Sequence, residues 1–150
     1  MQSSVAVLAF AGLELAHAFR RATGAPVFDQ YGKTEVGMVA GNHHGLAHTV
    51  IDGSMGLAVP GYRVAVLDRA GHPVIGERGR LAVHLDDSPM GYFTGYLGSR
   101  PSVRDDACFT PDGWYLTGDP AVQAEAGHLS FASRSDDLIV SSGYRVGPAE

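Results

Sequence analysis

Cysteine occurs once in this 150-residue chain, as Cys108, and lysine once, as Lys33. A lone cysteine excludes an intrachain disulfide framework and fits a reducing compartment, read here as cytoplasmic. No apolar run approaches the ~20 residues of a helical membrane span, so no membrane partner is expected. The net charge of -5 argues against a binder of phosphate backbones, so no nucleic-acid partner is expected either. Near the start, the apolar residues 5–11 followed by Ala16-His17-Ala18 have the outline of a secretory leader. No basic residue precedes them and Glu14 interrupts the stretch, so a buried strand leading into a helix is the better reading.

Glycine, by contrast, is plentiful. Twenty Gly and eight Pro imply many turns, hence many short strands rather than long helices. The composition is that of a globular protein, 45% hydrophobic and 18% charged, and the length suits one domain with a sizeable core. Residues 5–10 have a buried-strand pattern. Leu13, Ala16 and Phe19 with Leu15, Ala18 and Ala22 recur at helical spacing before the stop signal Gly24. Residues 26–28 read as a strand feeding a loop over 29–35, and 41–56 have no clear period. Further on, short strands are predicted over 62–67, 81–85, 114–117, 121–124 and 128–132, punctuated by Gly, Asp and Pro. The fold class is therefore α+β: an α/β edge followed by a mainly antiparallel, barrel-like β subdomain.

Three stretches carry chemistry. Tyr31-Gly32-Lys33-Thr34-Glu35 sets an aromatic, a glycine, a hydroxyl and a carboxylate on one strand-to-loop turn. Those groups can stack a base, admit a phosphate, donate to it and hold Mg²⁺, which when phosphate-bound takes only one or two protein carboxylates. A solvated turn is the alternative. In Tyr115-Leu116-Thr117-Gly118-Asp119 a carboxylate just past a glycine can accept both hydroxyls of a ribose, or simply sit in a β-turn. Ser133-Arg134-Ser135-Asp136-Asp137, followed by Ser141-Ser142-Gly143-Tyr144-Arg145, offers two guanidinium forks suited to phosphate and ribose, or a charged surface loop.

Taken in order, with Gly53-x-x-Gly56 and Pro60-Gly61 between the first two, these motifs resemble the second half of the adenylate-forming (AMP-binding) superfamily. The resemblance runs from about residue 11 to 150, and residues 141–148 are similar to the acetyl- and medium-chain acyl-CoA synthetase branch. It implies the C-terminal part of the large domain: residues 1–60 ending the α/β nucleotide-binding subdomain, 61–135 a β-barrel-like subdomain, and 136–150 a hinge and the start of a lid. It implies ATP, Mg²⁺ and CoA as cosubstrates, a small carboxylic acid as substrate, and a place in fatty acid metabolism. Tyr31 would stack on adenine beside Asp29, Gln30, Gly32 and Lys33. Thr34 would bond the α-phosphate and Glu35 would ligate Mg²⁺, the two acting as catalytic residues. Asp119 and Arg134 would hold the ribose, Asp136 would be the hinge, Arg145 would reach phosphate, and Ser142 and Gly143 would line the CoA approach.

The chain departs from the family pattern in having no Ser/Thr/Gly-rich phosphate loop, and Lys33 occupies the variable position of its motif rather than that of the family's catalytic lysine. The 150 residues are accordingly expected to be a fragment, inactive alone, whose partners include the missing parts of its own chain. A non-catalytic β-rich binding module and a piece of a peptide-synthetase adenylation domain are the alternatives. His43, His44 and His48 suggest a metal, but adjacent histidines point apart on a strand and a polar loop suits them better. Cys108, without a neighbouring base, is read as a packed thiol.

Overall fold

The computed structural model describes residues 13–42, 47–88, 108–132, 139–141 and 144–146. Helix α1 (Leu13–Thr23) forms where the helical spacing of apolar residues predicts it. Glu14 in its first turn and Arg20 and Arg21 in its last suit the helix dipole. It stops at Gly24, whose φ of 71° turns the chain left-handed while its N–H donates to the Arg20 carbonyl at 2.9 Å.

The described strands are antiparallel. β1 (Gln30–Lys33), β2 (Gly37–Gly41) and β3 (Leu57–Ala58) make one sheet in that order. β4 (Arg63–Leu67), β5 (Arg78–His84), β6 (Trp114–Gln123) and β7 (Leu129–Phe131) make a second, again in sequence order. β8 (Ile139–Ser141) and β9 (Tyr144–Val146) pair with each other. Alternation along the second sheet sends Val64, Val66, Leu81, Val83 and Tyr115 to one face, where they meet Tyr31, Val36, Val39 and Ala40 of the first sheet. The residues between them, Ala65, Leu67, Ala82 and Trp114, form a smaller cluster of their own. Both faces of β4 are thus covered, which is why Val64–Leu67 is a continuous buried run rather than an alternating one.

The α+β class with an antiparallel β unit over 62–132 is what the structure contains, with three local corrections. The loop expected over 29–35 is half strand: β1 borrows its hydrogen bonds from β2, a partner that Gln-Tyr-Gly-Lys does not announce by alternation. The two strands expected at 114–117 and 121–124 are a single strand, β6, because the Gly-Asp-Pro between them forms a bulge rather than a turn. The strand expected at 26–28 shrinks to one bridging residue, Val27. The strand expected at 5–10 lies outside the described residues.

The two sheets are tied at Gly56. Its carbonyl accepts from Leu129 N at 2.9 Å, Met55 N donates to the Leu129 carbonyl at 2.8 Å, and the Ser54 hydroxyl donates to that same carbonyl at 2.9 Å. Gly56 has φ 89°, and a Cβ there would stand 2.1 Å from the Gly41 carbonyl carbon. Gly71, with φ 95°, has nothing within 4 Å of such a Cβ. Gly71→Ala should therefore cost about 1 kcal/mol, from backbone strain alone. Gly56→Ala should cost roughly 3 kcal/mol or more, because a backbone clash adds to the same strain. Urea unfolding of the two variants checks this, and equal losses would contradict the close approach of the two strands.

Candidate functional site

β6 departs from regular pairing where its motif lies. Arg80 of β5 is opposite Pro120, but Ala82 is opposite Leu116, so Thr117, Gly118 and Asp119 share the space facing Leu81. Such extra residues bend a strand and re-aim its side chains. Gly118 supplies the positive φ, 81°, that the bend needs. Buried Thr117 replaces the missing ladder bonds: its hydroxyl donates to the Leu81 carbonyl at 2.9 Å and accepts from Asp119 N at 3.2 Å. Pro120 is tolerated in mid-strand at such a bulge, and its carbonyl still accepts from Ala132 N at 3.0 Å.

The bulge brings Asp119 to β1. The Tyr31 hydroxyl donates to Asp119 Oδ2 at 2.5 Å, across a sequence separation of 88. Two positions along β1, Lys33 Nζ donates to the Thr117 carbonyl at 2.5 Å and lies 3.8 Å from the same Oδ2. Residues two apart on a strand share a face, so β1 presents its phenol and its ammonium side by side to the bulge. Burial, and then the hydrogen bond to Asp119, push the Tyr31 phenol well above the ordinary tyrosine range, although Thr117 acts in the opposite direction. Tyr31 is only 4% exposed and packs in the core. Its direct link to the bulge is its hydroxyl.

Of the remaining expected residues, Thr34 is exposed and Glu35 half-buried in the turn that joins β1 to β2. Gly32 packs against β2 so closely that a Cβ would lie 2.6 Å from the Gly37 carbonyl oxygen. Gln30 pairs with Gly41. Asp29 lies on the α1 side, where its carbonyl accepts from Asn42 N at 3.0 Å. Burial, with nearby Asp52 adding to it, raises the Asp29 carboxyl above the usual range. Arg145 is in β9, opposite Val140. Arg134, Asp136, Ser142 and Gly143 lie outside the described residues, as do His43 and His44. His48 is near His128 instead, with ring centroids 6.1 Å apart. Among the described residues no three His, Cys, Asp or Glu side chains gather as a metal cage.

Two features of the site escaped the sequence reading. One is Thr117 as the brace of the bulge; a Thr before a Gly-Asp in mid-strand is the signal that could have found it. The other is the pairing of Lys33 with β6, for which the sequence carries no signal.

The family described as AMP-binding enzyme matches residues 5–97. The rat (Rattus norvegicus) mitochondrial acyl-coenzyme A synthetase ACSM3 is 38% identical over 139 residues, covering 91% of this chain and 23% of that protein. The crystal structure of a Brucella canis acyl-CoA synthetase superposes with a TM-score of 0.74 at 46% identity, over 97% of this chain and 26% of its own. ATP-bound MatB from Rhodopseudomonas palustris gives a TM-score of 0.72 at 26% identity, over 97% and 28%. The chain thus spans about a quarter of the length of the proteins it matches. The cytoplasmic expectation is corrected here, because the mammalian acyl-coenzyme A synthetases ACSM3, ACSM4 and ACSM5 to which the chain is similar are mitochondrial. A single cysteine speaks of redox conditions and does not tell one reducing compartment from another.

The buried phenol leads to a stability test. Tyr31→Phe should cost about 1–2 kcal/mol near neutral pH, since it removes a hydrogen bond to a partly buried carboxylate. The folded-state phenol titrates above its unfolded value. Its contribution is therefore complete below pH ~10 and is lost as pH rises beyond that. Unfolding free energies of the two proteins should converge above pH ~10; a gap that stays constant through the alkaline range would contradict the burial of this hydroxyl.

Proposed function

The chain belongs to the AMP-binding enzyme family, and on that premise we propose that it supplies the ribose and α-phosphate side of the nucleotide site in an ATP-dependent carboxylate–CoA ligase. The observation that carries the reading is the convergence of Tyr31 and Asp119, from two distant motifs, on one hydrogen bond. The domain division at residues 60 and 135 belongs to the same proposal.

The chemistry runs in two displacements. A carboxylate oxygen attacks the α-phosphorus of ATP, forming an acyl–adenylate and releasing pyrophosphate. The CoA thiolate then attacks the acyl carbon, forming the thioester and releasing AMP. Both steps are governed by positioning and by neutralising developing charge. Asp119 would accept the ribose hydroxyls, with Tyr31 holding its carboxylate. Gly32 keeps the β1–β2 turn close-packed, so that Thr34 would donate its hydroxyl to the α-phosphate. Tyr31 would also stack on adenine beside Asp29 and Gln30, with Lys33 standing behind that wall, Arg134 at the ribose and Arg145 at phosphate. Asp136 would serve as the hinge, and Ser142 and Gly143 would line the CoA approach. Magnesium, when bound, would neutralise phosphate charge. A single half-buried carboxylate, Glu35, at the turn fits an ion carried mainly by phosphates, which asks for only one or two protein carboxylates. A fatty or other small carboxylic acid is the substrate class. The similarity to acyl-CoA synthetases favours this reading over a peptide-synthetase piece.

In the full-length protein, Asp119→Ala should raise the Michaelis constant for ATP by about tenfold or more, the value of hydrogen bonds to a charged group. Glu35→Gln should instead lower kcat by about tenfold or more, since it weakens charge neutralisation in the transition state. Carboxylate-dependent pyrophosphate exchange separates the two effects. An unchanged Michaelis constant in Asp119→Ala would refute the ribose role.

A further inference from the structure

We propose that Lys33 is a positioning residue, whose ammonium group sets the bulge of β6 so that Asp119 presents its carboxylate to ribose hydroxyls. This deepens the nucleotide reading above and rests on it.

Lys33 is the one lysine of the chain, and it stands where its motif prescribes no residue type. A lysine in such a place would ordinarily extend into water, because burying its stem costs rotamer freedom. Here the side chain is only 29% exposed, and it turns inward to another sheet. An ammonium carries three donors and no acceptor. One donor is committed to the Thr117 carbonyl at 2.5 Å, across a sequence separation of 84. The group also lies 3.8 Å from Asp119 Oδ2, whose side chain is 17% exposed. That oxygen is the one the Tyr31 hydroxyl holds.

Two consequences follow. The bulge is pinned from β1 at the Thr117 carbonyl by Lys33 and at the Asp119 carboxylate by Tyr31, so its first peptide and its last side chain are both held. The cation also sits beside the carboxylate in a half-desolvated place, where charge is less screened than at the open surface. Both effects orient one carboxylate oxygen from behind, and neither requires Lys33 to touch the nucleotide. The role is thereby distinct from that of a phosphate-binding lysine. A positioning role of this kind alters recognition of the ribose and leaves recognition of the base alone.

The test is calorimetric titration of the full-length protein with AMP and with 2′,3′-dideoxy-AMP. Two variants are used: Lys33→Met, which keeps the stem, and Lys33→Gln, which keeps a donor for the Thr117 carbonyl but no charge. Asp119→Asn is measured alone and combined with Lys33→Met. The reading on which the proposal rests requires that the unmodified protein prefer AMP to the dideoxy compound, and that Asp119→Asn abolish the preference. Given that, Lys33→Met and Lys33→Gln should each weaken AMP binding by about five- to tenfold and dideoxy-AMP binding by less than about twofold. Lys33→Met should add nothing further in the Asp119→Asn background. Equal weakening of both ligands, full additivity in the double variant, or unchanged AMP affinity would each overturn the role of Lys33 while leaving the nucleotide site standing. No preference for AMP in the unmodified protein would overturn the nucleotide reading itself, and this proposal with it.

Discussion

A phenol donating to a carboxylate 88 positions away is the contact on which the arrangement of this chain depends. Neither side is free to be there by local preference. Asp119 reaches β1 only because β6 carries a bulge, and the bulge exists only because Thr117 bonds across it and Gly118 accepts a positive φ. Tyr31 reaches β6 only because its ring is packed in the core shared by both sheets. Burial of the hydroxyl makes the bond obligatory, since an unsatisfied buried donor costs more than a made hydrogen bond returns. The same contact thus joins the sheets and aims a charged group, so structure and proposed chemistry draw on one interaction.

The architecture around that contact was legible in the sequence where a pattern was local. Helix α1 was visible from its apolar spacing and its glycine stop, and β4 and β5 from alternating residues bounded by turns. It was not legible where pairing decided the outcome. Gln30–Lys33 has no strand signature, and becomes β1 because Gly37–Gly41 lies alongside it. Gly118-Asp119-Pro120 contains three residues that usually interrupt strands, yet β6 passes through them, because a bulge tolerates each for its own reason: φ, a side chain to be re-aimed, and an absent N–H.

The candidate site divides the same way. The order of five motifs, from Tyr31-Gly32-Lys33-Thr34-Glu35 to Ser142-Gly143-Tyr144-Arg145, was enough to name a family, and the chain belongs to that family. What order could not convey was the surroundings of each side chain. Tyr31, expected to stack on adenine through its ring, also donates its hydroxyl to Asp119. Lys33, at a position its motif leaves open, is turned inward to the other sheet. Motif position conveys which chemistry a residue type can perform, whereas burial and partners decide which part of that chemistry is used. Correction of the expected cytoplasmic location has the same origin: composition reports a condition, and several compartments satisfy it.

The convergence of Tyr31 and Asp119 is proposed to hold a ribose. A crystal structure of the full-length protein grown with saturating AMP tests it most directly. Both ribose hydroxyls should lie within ~3.2 Å of the Asp119 carboxylate, a hydrogen-bonding distance, with the Tyr31 hydroxyl still on Oδ2. AMP seated elsewhere, or no nucleotide beside Asp119 at saturation, would contradict it.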